Sequence, residues 1–151
     1  MFSKPTIDII TEQNRTNLKM CSWNIRGLTL EKLEQNILGN FFQEFDIISL
    51  SETWFLDDYE IQIPGFRMHA SNRPHVNINA KRGSGGIAIY VKLELDKFVS
   101  HISNYKDNIV WCSLKKGIIS DKPIALGSIY FPPEGSMFAD EGLFEKFKKN
   151  A

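Results

Sequence analysis

Two short apolar segments flank a stretch with helical spacing near the start of the chain, and this arrangement limits the fold more than any other feature. The first, KMCSWNI, spans residues 19–25, and the second, DIISLS, spans residues 46–51. Between them, residues 30–45 carry apolar side chains at intervals of three and four, the spacing of one helix face. A continuous apolar run such as DIISLS is typical of a strand covered on both faces. The pattern predicts a β-α-β unit with parallel strands and a right-handed crossover.

Parallel strands place their carboxyl ends on one edge of the sheet, and two polar residues stand at that edge. Asn24 closes the first segment and Glu52 follows the second. We expect their side chains to lie close together, where open α/β sheets bind ligands. Carboxylate and amide oxygens suit Mg²⁺ or Mn²⁺. An isolated Glu at a strand end more often faces solvent or caps a backbone N–H, so both interpretations stay open on this pattern.

The remainder of the chain contains loop, strand and helix patterns. Residues 55–86 are predicted to be mainly loop. Three β-type runs, separated by short turns, predict an antiparallel meander; they lie at residues 86–95, 109–115 and 123–131. The segment MFADEGLFEKFKKNA begins an amphipathic helix. Residues 1–18 are polar and irregular, so we expect a leader there and a domain over residues 19–151.

Two further features are candidates for contact with a phosphate backbone. No Asp or Glu occurs from Ile61 to Leu93, and the candidate contacts in that stretch are Arg67, Asn72, Arg73, Lys81 and Arg82. A solvated polar loop would look the same. Tyr130 ends the last β-type run, where its phenol could donate to a phosphoryl oxygen or simply be half-buried in the sheet.

Composition and charge set only broad limits. The chain has 18 Lys and Arg against 18 Asp and Glu, so net charge neither favours nor excludes a nucleic-acid partner. Cys21 and Cys112 both lie in apolar runs, which favours two buried thiols over a disulfide. No apolar run reaches the roughly 18 residues of a membrane span, and the N-terminus lacks a secretion pattern. We therefore expect an intracellular protein that is not inserted in a membrane.

Taken in order, five motifs resemble the endonuclease/exonuclease/phosphatase superfamily, which has the deoxyribonuclease-I-like fold. They are CSWNIRGL, DIISLSETWF, RGSGGIAIYV, IVWCSLK and IALGSIYFPP, and the resemblance covers roughly residues 19–147. Within the superfamily they are most similar to the endonuclease domains of LINE-type (non-LTR) retrotransposons. The resemblance implies the N-terminal portion of a four-layer α/β/β/α sandwich. It also implies phosphodiester hydrolysis with Mg²⁺ or Mn²⁺, DNA as a partner and a nuclear location.

The resemblance assigns roles to single residues. Asn24 matches a strand-end Asn of the metal and phosphate network, and Glu52 matches the metal-binding Glu. Tyr130 matches the active-site Tyr that contacts the scissile phosphate. The basic stretch between Ile61 and Leu93, with the RGSGG segment at residues 82–86, matches the region that approaches the nucleic-acid backbone.

Two motifs of the superfamily are not found in these 151 residues. The Asp-x-Asn pair and the Ser-Asp-His that supplies a catalytic His would follow the helix after Tyr130. We therefore expect little or no hydrolysis by this chain alone. Two alternatives are a non-catalytic nucleic-acid-binding remnant and a phosphoesterase of the same fold that acts on inositol phosphates or phospholipid headgroups. Part of such a sandwich would expose apolar sheet surface, which favours self-association or contact with the absent half.

Overall fold

A computed structural model gives the fold, and the structure describes residues 17–56, 59–73 and 83–150. These ranges contain seven strands and four helices. In chain order they are β1 (Met20–Asn24), α1 (Leu30–Glu34), α2 (Asn36–Gln43), β2 (Ile47–Ser51), β3 (Phe66–Ser71), β4 (Ile87–Lys92), α3 (Leu93–Asp96), β5 (Val99–Tyr105), β6 (Ile109–Leu114), β7 (Ile124–Ile129) and α4 (Leu143–Asn150).

The strands form two sheets. The first has the order β1-β2-β4-β3, with β1 parallel to β2 and β4 antiparallel to both of its neighbours. The second is the antiparallel meander β5-β6-β7. The predicted β-α-β unit is therefore present, followed by antiparallel strands.

Strand β2 shows why the two sheets and the helices stack in layers. Ile48 and Leu50 face the cluster that contains Phe42 of α2, whereas Ile47 faces the second sheet, because successive side chains point to opposite faces. On the far side of the second sheet, α4 inserts Leu143 into a small cluster of its own. The order helix, sheet, sheet, helix confirms the predicted α/β class and the partial sandwich.

Two strands were not predicted, and the membership of the meander differs from the prediction. Residues 67–71, predicted to be loop, belong to β3 and pair with β4 from Phe66 opposite Lys92 to Ser71 opposite Ile87. Strand β5 fills the interval between the first two β-type runs, and it pairs with β6. The run at residues 87–92 therefore lies in the first sheet. Both missed strands are rich in polar residues, and cross-strand pairing determines their conformation more than their own propensity does.

The helix predicted over residues 30–45 is interrupted at Gln35, which lies between the end of α1 and the start of α2. The carbonyl of Leu33 lies so close to Gly39 that a Cβ there would be 2.8 Å from the oxygen. Gly39 therefore permits the close approach that the break requires.

The other structural predictions concern the termini, the thiols and the membrane. Residues 1–16 lie outside the described residues, so the leader and its boundary stay a prediction. Cys21 is half-buried and Cys112 is buried, and both are free thiols. Across the described part of the chain, every helix is too short or too polar to cross a bilayer.

Candidate active site

The carboxyl ends of β1 and β2 bring Asn24 and Glu52 to one edge of the first sheet. Asn24 is paired with Ser51, the residue before Glu52. Pairing continues past both strands, because the Ile25 amide donates to the Ser51 carbonyl at 3.0 Å and the Gly27 amide donates to the Glu52 carbonyl at 2.7 Å. The expected closeness of the two positions is thus observed, while their role as metal ligands stays a prediction.

The beginning of β4 completes this edge because β4 runs opposite to β2. The Thr53 amide donates to the Gly86 carbonyl at 3.3 Å, and the Trp54 amide donates to the Gly85 carbonyl at 3.0 Å. Glu52 and Trp54 both have left-handed backbone angles, with φ of 56° and 61°. Such angles cost a non-glycine residue roughly 1–2 kcal/mol each. The flanking backbone hydrogen bonds hold this turn, which aims the Glu52 side chain.

Three donors surround the Glu52 carboxylate. The Trp54 indole Nε1 donates to Oε2 at 2.5 Å, and the Gly85 amide donates to the same oxygen at 3.3 Å. The Tyr130 hydroxyl is also hydrogen-bonded to the carboxylate. Burial raises the pKa of Glu52, but these hydrogen bonds and the charge of Arg73 outweigh it and leave the pKa below its usual range. Glu52 is therefore ionised at neutral pH.

Tyr130 reaches the site from the second sheet. It follows β7, and its amide donates to the Asn108 carbonyl at 2.9 Å. Burial, followed by the hydrogen bond to Glu52, raises the pKa of Tyr130 to about 12. The phenol is therefore neutral at physiological pH and able to donate, and the site draws its two side chains from different sheets.

The residues predicted to contact a phosphate backbone do not form one surface. Arg73 is only 5% exposed, and its Nε donates to Asp107 Oδ2 at 2.5 Å. It is thus an internal residue, which contradicts its predicted place on a phosphate-facing loop. A polar loop and a buried ion pair are indistinguishable in a single sequence when the partner lies in a turn far along the chain.

The remaining predicted contacts have separate positions. Arg67 keeps an exposed side chain, with its Nε 3.4 Å from Asp96 Oδ2. Asn72 donates to Glu60 Oε1 at 2.8 Å. Lys81 and Arg82 lie outside the described residues.

Sequence reasoning assigned no role at the site to Trp54, and it placed Gly85 only within the RGSGG segment that approaches nucleic acid. An aromatic residue such as Trp54 is most simply interpreted as part of the core, yet its indole holds the carboxylate. Adjacent glycines before a strand are typical of a close backbone approach, and Gly85 with Gly86 provided that clue. No sequence pattern indicated that the indole two residues after Glu52 turns back toward it.

The donor set fits part of a divalent-metal shell. Among the described residues, no group of three or more His, Cys, Asp and Glu side chains is arranged to hold a metal ion. Mg²⁺ commonly takes only one or two protein carboxylates and fills its shell with water and phosphate. An ionised Glu52 meets that need. Asn24 Oδ1 accepts from the Arg26 amide at 3.2 Å, which leaves this oxygen a second lone pair.

Comparison with known proteins identifies the family. The profile of the Endonuclease/Exonuclease/phosphatase family matches residues 21–136. The chain belongs to this family. Its members are hydrolytic nucleases and phosphatases that generally depend on a divalent metal, and the resemblance to this superfamily noted from the sequence is confirmed.

A solved structure has a similar fold. The AP endonuclease LMAP from Leishmania major superposes with a TM-score of 0.57 at 20% identity, over 79% of this chain and 41% of that chain. This likeness shows the fold alone. Because the match covers only 41% of the Leishmania chain, the present chain spans well under two thirds of its length. A search of curated protein sequences found no match.

Proposed function

We propose that the 151-residue chain forms the N-terminal part of a metal-dependent phosphodiesterase domain that acts on nucleic acid. The domain would be of the same kind as the endonucleases of LINE-type retrotransposons. The observation that carries the proposal is the ionised Glu52, held at the sheet edge by Trp54 and by Tyr130 from the other sheet. Family membership supports the reaction class. DNA as the substrate and the nuclear location follow from the resemblance to retrotransposon endonucleases.

The proposed roles follow from the chemistry of each group. Glu52 supplies the anionic ligand of Mg²⁺ or Mn²⁺, and Asn24 supplies a neutral oxygen beside it. The metal would polarise a phosphoryl oxygen and stabilise developing charge on the phosphate. Tyr130 is neutral at physiological pH, and its single O–H would turn from Glu52 to the same phosphate when the substrate binds. Arg67, with its exposed guanidinium, contacts the nucleic-acid backbone without reading sequence.

The chain alone lacks the groups that would activate water for attack on phosphorus. Neither the Asp-x-Asn nor the Ser-Asp-His motif is present in the 151 residues. We propose that the purified chain binds metal but hydrolyses little or no DNA. Sequencing beyond Ala151 in the open reading frame provides a direct check, because both motifs downstream would complete the enzyme.

Metal binding tests the site without requiring catalysis. Mn²⁺ is titrated into the chain and the unbound ion is followed by electron paramagnetic resonance. Glu52→Gln is expected to weaken binding by at least about tenfold. Glu44→Gln is the matched control, because it makes the same change on an exposed side chain just after α2. Equal Mn²⁺ binding by the wild type and Glu52→Gln would rule out the proposed metal ligand.

A nicking assay tests the proposed inactivity. Supercoiled DNA is incubated with the chain and Mg²⁺, and the expected result is no conversion to the nicked form. Nicking that disappears in Glu52→Ala would show that the 151 residues are a complete catalyst.

A further inference from the structure

A buried ion pair lies beneath the candidate active site. Arg73 follows β3 in the first sheet, and Asp107 lies in the turn between β5 and β6 of the second. Besides its bond to Asp107, Arg73 donates from Nη1 to Ser84 Oγ at 3.0 Å. The ring of Phe138 covers the guanidinium, with its centroid 3.6 Å from Cζ. The guanidinium is therefore held by a carboxylate, a hydroxyl and an aromatic ring.

Gly85 connects this guanidinium to the Glu52 carboxylate. A Cβ at Gly85 would overlap Cζ of Arg73, so the backbone of Gly85 packs directly on the guanidinium. The amide of Gly85 donates to Glu52 Oε2, and its carbonyl accepts from the Trp54 amide. A displaced guanidinium would therefore disturb two of the groups that orient Glu52.

The same turn between β5 and β6 also holds Tyr130. Asn108, the residue after Asp107, accepts the Tyr130 amide through its carbonyl. Asp107 thus supports Glu52 through Arg73 and Gly85, while its neighbour supports Tyr130 directly. One turn of the second sheet fixes the position of both side chains.

We propose that the Arg73–Asp107 pair is a positioning device that sets Glu52 against Tyr130. Arg73 and Asp107 are positioning residues, since they act through Gly85 rather than on a substrate. A buried ion pair contributes little net stability compared with apolar residues of similar volume, which favours a role in orientation. The importance of that orientation for catalysis rests on the proposed function, whereas the coupling itself is a property of the fold.

Nuclear magnetic resonance of the full chain tests the coupling. The readouts are the solvent-exchange rates of the Trp54 indole N–H and the Gly85 amide, which both donate to Glu52 Oε2. Arg73→Lys keeps the charge but loses the planar fork, and Asp107→Asn keeps the shape but loses the charge. In both variants the two protons are expected to exchange about tenfold faster. The amide of Tyr90 in the centre of β4 should be unchanged, which separates a local effect from general destabilisation.

The control makes the same change in a more exposed ion pair. Asp96→Asn removes the carboxylate that lies 3.4 Å from Arg67, and it should leave both exchange rates unchanged. Folded Arg73→Lys or Asp107→Asn with wild-type exchange at Trp54 and Gly85 would overturn the proposal. Faster exchange at Tyr90 to the same degree would also overturn it, because the role would then be general stability.

A measurement on the wild type covers variants that do not fold. A nuclear Overhauser effect between Arg73 Hε and the Gly85 α-protons is expected, and its absence would overturn the proposal. None of these readouts needs metal or nucleic acid. A failed Mn²⁺ titration would therefore count against the proposed function and leave the coupling intact.

Discussion

At the scale of single residues, Glu52 stays ionised although its own burial opposes the charge. The groups that outweigh burial are Tyr130 and Gly85, from distant parts of the chain, and Trp54, two residues after Glu52. A carboxylate that accepts several hydrogen bonds loses more by protonation than an exposed one. The hydrogen bonds at the site therefore contribute to folding stability as well as to any ligand chemistry.

Removing the Tyr130 hydroxyl should reveal this contribution through pH. Since the folded-state pKa of Glu52 is lowered, its stabilising effect is present above the unfolded-state pKa and is lost as pH falls through the folded-state pKa. Tyr130→Phe moves the folded-state pKa back up and should lower the free energy of unfolding by about 1 kcal/mol at neutral pH. Near about pH 3 the loss should be smaller. Urea unfolding at both pH values measures the difference.

Tyr59→Phe is the control for that experiment, because it removes a phenol hydroxyl from a largely exposed ring. It should change the free energy of unfolding little at either pH. A Tyr130→Phe loss that is the same at both pH values would show that the hydroxyl acts through packing and not through Glu52.

At the scale of secondary-structure elements, the apolar β-α-β unit could be predicted from the sequence, whereas the polar strands β3 and β5 could not. Strands β1 and β2 can be recognised from their apolar runs, and the helical spacing between them predicts the crossover. Strand β3 contains an exposed Arg67 and a half-buried His69, so its sequence resembles a polar loop unless its pairing with β4 is known. The burial of Arg73 was equally hidden, because its partner Asp107 is 34 residues away.

The break between α1 and α2 predicts an effect of a glycine substitution that is opposite to the effect expected from helix propensity. In an ordinary helix, replacing Gly by Ala stabilises by about 1 kcal/mol. Gly39→Ala should instead destabilise by roughly 1–2 kcal/mol, because the new methyl group meets the Leu33 carbonyl. Gly142→Ala is the control, since a Cβ there meets its nearest atom at an ordinary 3.4 Å. Thermal unfolding of both variants measures the contrast, and a stabilised Gly39→Ala would contradict the geometry.

The docking of α4 gives a second prediction at this scale. Leu143 is 0% exposed and packs on Ile109 and Trp111, whereas Phe144 beside it is 51% exposed. Leu143→Ala should cost roughly 2–5 kcal/mol of unfolding free energy, and Phe144→Ala should cost much less. Equal losses in urea unfolding would mean that α4 does not pack on the second sheet in this register.

At the scale of the whole molecule, the two sheets do not cover each other completely. Strand β7 contacts β2, where the hydroxyls of Ser49 and Ser128 are hydrogen-bonded. Among the described residues, strand β1 forms the edge of the first sheet beyond β2, and Met20 and Trp23 are exposed along it. A groove of about 360 Å³ continues this surface and is lined by Trp23, Lys32, Gln35, Ile37, Leu38 and Phe41. An apolar groove beside an open strand edge favours association.

We predict that a second copy of the chain covers this edge, because β1 can pair with the same strand of its partner about a two-fold axis. Ile37, on the groove, is 86% exposed, and Met137, elsewhere on the surface, is 85% exposed. Ile37→Lys places a charge in the groove and should weaken dimerisation at least about tenfold in sedimentation velocity. Met137→Lys adds the same charge at equal exposure and should leave it unchanged. A chain that stays monomeric at every concentration would contradict association through β1. Equal effects of the two variants would also contradict it, because Ile37 lines the groove and Met137 does not.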